Sequence, residues 1–158
     1  MKPFFASTIF AMLSTLLFSA YSYAGNNNGI ISVKSRYNIV HTVDRLKTVS
    51  IKKGMHIFAD INHAKGAKNV GIEIPPTELI IVGNPKVGSP LILCARSIAI
   101  DLPQKLLVWQ DRAKQVWISY NDPVYIADRH SVNKECHESL SEIANALASL
   151  SKLAAGSE

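Results

Sequence analysis

Cysteine is scarce in this sequence, with only Cys94 and Cys136 present. Two cysteines this far apart exclude a C-x-x-C redox or zinc motif, and spacing alone leaves open whether they pair or stand as one buried and one exposed thiol. There are five histidines, at 41, 56, 63, 130 and 137, and no H-x-x-x-H. Cys136-His137 beside His130 is too loose for a metal centre, so neither metal nor cofactor is expected. No G-x-S-x-G is present, and no serine carries a local signature of activation. Basic residues outnumber acidic ones, 17 to 12, yet Lys52-Lys53 is the only adjacent basic pair and arginines do not cluster. That pattern excludes the usual footprint of a nucleic-acid binder and leaves mild basicity as a source of solubility.

Long apolar runs are absent after residue 24 but present before it. Lys2, an apolar stretch over 4–20 and Ser22-Tyr23-Ala24 have the three parts of a secretory signal peptide over 1–24, with cleavage after Ala24. Residues 25–28 then read as a polar spacer, 29–135 as one α+β domain and 136–158 as an amphipathic helix and tail. The expected location is periplasmic or secreted, with no stable membrane anchor after cleavage.

The stretch 79–103 organises the rest. Leu79, Ile80, Ile81 and Val82 have the β-branched content of a buried strand, and Gly83, Asn84 and Pro85 stop it. Ser89 is expected to cap a helix with Pro90 in its first turn, running to Ile100, with Cys94 as a buried thiol on its apolar face and Asp101-Leu102-Pro103 as the exit. Residues 83–89 would then be a loop. Gly83 and Gly88 have the spacing of a nucleotide-binding loop, but Ser89 stands where that motif needs lysine and Pro90 where it needs a hydroxyl. What remains is a weaker anion site with Lys86, or simply a turn lysine.

Elsewhere, Ile30, Ile31 and Val33 begin a strand, and Asn38 caps a helix whose apolar face is Ile39, Val43 and Leu46 and whose stop is Gly54. Alternation over 55–62 predicts a strand, 63–69 a short alanine-containing segment, 71–74 an extended one, and 105–110 with 115–120 a hairpin. Asp122 is read as the cap of a helix opened by Pro123. Leu140, Ile143, Leu147 and Leu150 form the stripe of the last helix, which packs across its own sheet or, as the runner-up, against a partner. The expectation is a compact α+β domain with a mixed, largely antiparallel sheet packed by helices.

Gly83-Asn84-Pro85-Lys86 with Gly88, Asp101-Leu102-Pro103, Leu107-Val108-Trp109 and Trp117-Ile118-Ser119-Tyr120-Asn121-Asp122-Pro123 together resemble the domain-of-unknown-function family 302 over about residues 29–130. The resemblance implies a fold likened to that of the TATA-binding protein and a tendency to dimerise, with no agreed activity. It implies nothing about DNA. Two positions depart from the family pattern: Asn62 precedes His63 where an aspartate is common, and Pro76 stands where an arginine is common. Asn62 carries no charge to orient His63, which weakens an acid–base reading.

His63, Asn84, Lys86, Asp101 and Tyr120 fall near element ends and are the candidate ligand-binding residues; no catalytic residue is identified. Trp109 and Trp117 could stack on a ligand, although core packing explains them as well. The reading adopted is a small-molecule or anion-binding module of the bacterial envelope. A homodimeric interaction protein and a small hydrolase are the alternatives, and an enzyme is the less expected outcome because no nucleophile–base pair is displayed.

Overall fold

The computed structural model describes residues 28–157, so the signal-peptide reading over 1–24 and residues 25–27 of the spacer lie outside the described residues. The elements follow in the order β1 (Ile30–Lys34), α1 (Ile39–Lys52), β2 (His56–Asn62), α2 (His63–Lys68), β3 (Thr77–Gly83), α3 (Pro85–Cys94), a 3-10 turn (Arg96–Ile100), β4 (Gln104–Gln110), β5 (Val116–Asn121), α4 (Pro123–Arg129), a second 3-10 turn (Lys134–Cys136) and α5 (His137–Ala155). The strands form one sheet in the order β1-β5-β4-β3-β2, and every pairing is antiparallel. The mixed, largely antiparallel sheet expected above is thus antiparallel throughout. The α2 segment and the extended residues 71–74 connect β2 to β3 without adding a strand.

Alternation along the strands decides which face is buried. Ile80, Val82, Leu106, Val108 and Ile118 are fully buried, while Leu79, Ile81 and Leu107 on the opposite face are only partly so. Helices α1 and α5 lie on the buried face and supply Leu46, Leu147 and Leu150, each fully buried. Each such side chain contributes about 1.5–3 kcal/mol relative to leaving it in water. The α5 stripe therefore packs on its own sheet and on α1, as the three-and-four spacing predicts.

The caps are local and follow the sequence. Asn38 accepts from the His41 amide at 2.9 Å and opens α1, and Gly54, at φ +73, follows its end. Thr42 and Ser50, both buried, return their hydroxyls to the carbonyls of Asn38 and Leu46 at 2.8 Å, so neither leaves an unpaired polar atom in the core. The last helix ends at Gly156, φ +70, where an added Cβ would lie 2.6 Å from the Tyr37 ring. Arg45 stacks 4.5 Å over that ring and donates to the carbonyls of Leu153 and Ala154, satisfying acceptors that the helix terminus leaves free.

Residues 83–103 differ from the sequence expectation. The helix begins at Pro85, capped by Asn84, whose side chain accepts from the Lys86 amide at 3.0 Å; Ser89 is no cap, and Pro90 lies inside the helix. The helix breaks after Cys94 and resumes as the 3-10 turn Arg96–Ile100. Asn-Pro is as good a cap and first-turn pair as Ser-Pro, and starting at Asn84 lets the chain turn directly out of β3. Residues 83–89 are accordingly the end of a strand and the start of a helix, and Cys94 is no buried thiol but is paired with Cys136 in a disulfide.

Candidate functional site

Because α3 starts directly at the end of β3, its side leans over the sheet towards α5, and a cleft of about 590 Å³ opens between the two helices. Val87, Gly88 and Ile92 of α3 form one wall, and Ile143, Ala146 and Leu147 of α5 the other. Met55, Val82, Leu102 and Pro103 add apolar surface from the sheet end. The Cys94–Cys136 disulfide ties the last residue of α3 to the residue before α5, so it clamps the two walls to each other.

Few polar groups reach this cleft. Asn84, Ser89, Gln104, Glu142, Asn145 and Ser149 line it, together with Lys53, which follows α1. The pairing of His56 with Gly83 brings Lys53-Gly54-Met55 alongside Asn84, so the cation and the amide share one end of the cavity. Lys53 stands in no ion pair among the described residues. Phe58 joins the rim through a bulge in β2, where the register shifts between Ile57 and Ala59.

The five residues picked from the sequence do not converge. Asn84 lines the cleft, whereas Lys86, the second residue of α3 and exposed, does not. His63 opens α2 at the far end of β2, a strand of seven residues or about 20 Å away from the Gly83 end. Tyr120 is a core residue, 5% exposed, and burial pushes its phenol above its ordinary pKa. Asp101 follows the 3-10 turn and is engaged by His130, with Nε2 2.7 Å from its Oδ2, and by Arg129 at 3.4 Å. Trp109 and Trp117 lie on the half-buried outer face, their indole N–H groups donating to Ser119 and Asp111. The Trp117 bond, with the Gln115 amide, holds the Asp111 carboxyl below its ordinary pKa. Lys53, Phe58 and the α5 residues escaped the sequence reading because they meet only through tertiary packing.

A second recess, about 370 Å³, lies between α1 and the opposite ends of β2 and β3. Lys47 bridges Asp60 and, at 3.6 Å, Glu78, while Asn62 donates to Glu78 at 2.8 Å. Burial, then the hydrogen bond and charge of Asp60, push the Glu78 carboxyl upward. Burial opposes the Lys47 ammonium, but Asp60 and Glu78 outweigh it and raise its pKa. Among the described residues, no group of three histidine, cysteine, aspartate or glutamate side chains could hold a metal ion.

A family model described as domain of unknown function DUF302 matches residues 31–150. The chain is 36% identical over 130 residues to proteins named fluoride-specific ion channel FluC 1 from Brucella suis and from Brucella abortus, covering 82% of this chain and 51% and 48% of theirs. It thus spans about half the length of these curated relatives. The crystal structure of an uncharacterized conserved DUF302 protein from Bacillus stearothermophilus superposes with a TM-score of 0.73 at 17% identity, covering 80% of this chain and 98% of that one. That likeness is one of fold.

Proposed function

This chain belongs to the DUF302 family, and on that premise we propose that it is a binding module of the bacterial envelope for a small, largely apolar ligand with an anionic end. The observation that carries the reading is the cleft of about 590 Å³, whose apolar walls come from α3 and α5 and whose polar lining includes the cation Lys53, Asn84 and the carboxylate Glu142. Such a volume is in the range of small-ligand sites, and a few polar groups at one end orient what the walls hold. In this reading Lys53 takes the place of Lys86 as the charged contact. The channel name of the Brucella relatives is not carried over, because this chain spans only about half of their length.

Anilinonaphthalene sulfonate, an apolar ring system with one anionic group, tests the reading by titration. One molecule per domain should bind, Ala146→Trp should abolish binding by filling the cleft, and Lys53→Ala should weaken it about tenfold, the equivalent of about 1.4 kcal/mol. Binding unaltered by Ala146→Trp would place the dye elsewhere and remove the reading.

One observation favours a second reading, a homodimer. The outer face of the sheet carries Leu79, Ile81, Leu107 and Trp109, none of them fully buried, next to Ile61, which is 41% exposed. Sedimentation velocity decides it: Leu107→Lys should convert a dimer to a monomer, and a wild-type monomer at high concentration ends the proposal.

A further inference from the structure

Outside the cleft, three side chains from two separate parts of the chain stand in one hydrogen-bonded line. Ser97 Oγ lies 2.9 Å from His130 Nδ1, and His130 Nε2 lies 2.7 Å from Asp101 Oδ2. Ser97 belongs to the 3-10 turn, Asp101 follows it, and His130 ends α4. From these positions we propose that Ser97 is a nucleophile, His130 its base and Asp101 the positioning residue of a hydrolytic site for small acyl esters.

Elementary hydrogen-bond accounting sets the direction of the line. An ionised carboxylate only accepts, so the proton between His130 and Asp101 sits on Nε2. A neutral imidazole then has its lone pair on Nδ1, and that lone pair faces the Ser97 hydroxyl. Burial runs the same way: the His130 and Asp101 side chains are 7% and 15% exposed, while Ser97 is exposed to solvent. The two ring nitrogens have exchanged places relative to the familiar serine triad, but such a constellation is defined by geometry and roles rather than by sequence order. A purely structural clamp between the turn and α4 would need the His130–Asp101 bond alone; it gives no role to a solvent-facing hydroxyl aimed at the free nitrogen.

The chemistry balances with water as the only co-reactant. Ser97 Oγ bonds to the ester carbonyl carbon as its proton passes to His130 Nδ1. The carbon–alkoxide bond then breaks, and the departing alcohol takes that proton. Water next attacks the acyl-serine, giving a proton to Nδ1; the bond to Oγ breaks, the acid departs and Ser97 recovers its proton. Ala99 of the same turn lines the cleft, which favours a small apolar acyl group, although the site does not require that the cleft bind a separate ligand.

The test uses the purified full chain with a fluorophosphonate probe and 4-nitrophenyl acetate. One covalent adduct should map to Ser97, and Ser97→Ala should remove both adduct and hydrolysis while leaving the thermal midpoint unchanged. His130→Gln should slow labelling by about 10²-fold or more. Asp101→Asn should keep the side chain's size yet slow labelling and displace its pH profile, a readout that loss of packing alone would not move. An adduct at another residue, no adduct on the folded wild type, or wild-type hydrolysis by Ser97→Ala would overturn the assignment.

Discussion

The two recesses of the domain open on the same side of the sheet and share no lining residue, yet their chemistry is opposite. In the smaller one the charges answer each other: Lys47 lies between Asp60 and Glu78, and Asn62 closes the set. In the larger, apolar walls face each other across open space, and Lys53 has no charged partner among the described residues. A polar cluster that satisfies itself is an anchor between α1 and the strands, with little left to offer a ligand. A largely apolar cavity whose lining holds Lys53 and Glu142, neither of them in an ion pair among the described residues, has unmet capacity of both kinds.

The largest blow to this contrast is removal of the clamp on the larger cleft. Reducing the disulfide, or replacing both cysteines by serine, should cost about 4 kcal/mol on the chain-entropy argument for a loop spanning 42 residues of sequence separation, read from urea unfolding. Dye binding in the cleft should weaken with it, while the Lys47 cluster should be untouched. A smaller effect is expected from Lys47→Met, which leaves two carboxylates facing each other without their cation. Because Lys47 is about a third exposed, the loss should be about 1 kcal/mol at neutral pH. Its raised pKa gives the sign of the pH dependence: the contribution is complete below the unfolded value of 10.5 and disappears as pH rises through the higher folded value. The gap between wild type and Lys47→Met, followed by thermal unfolding, should therefore close above pH 10.5. The smallest effect is that of Lys86→Ala. An exposed residue outside the cleft should change stability by less than about 0.5 kcal/mol and leave dye affinity unaltered. A tenfold loss there, with none at Lys53, would reverse the assignment of the cation.

Where an element is announced by its own residues, the sequence is readable. Asn38 and Gly54 bracket α1, the two apolar-rich runs 105–110 and 115–120 give the hairpin, and Asp122-Pro123 opens α4, with Asp122 accepting from the Val124 amide at 2.9 Å. The same signal stands at Asn84-Pro85, but Ser89-Pro90 offers a second, equally good start five residues later. Geometry chose the first, and Pro90 became the sixth residue of α3, where its missing N–H leaves the Lys86 carbonyl without a helical donor. The site was less readable than the fold. Nothing local links Cys94 to Cys136 or Ser97 to His130; each pair meets only when α4 and α5 have folded back.

The position of β1 has a consequence for how the chain reaches this state. Strands β2 to β5 form a meander of neighbours, so each can zip onto the last with a modest loop to close. The first strand instead pairs with the fifth, Ile30 against Asn121, so its pairing closes a loop across most of the domain's sequence. Folding of this domain should therefore be rate-limited by long-range closure, with the amides of β1 among the last to gain protection from hydrogen exchange and those of β3 and β4 among the first.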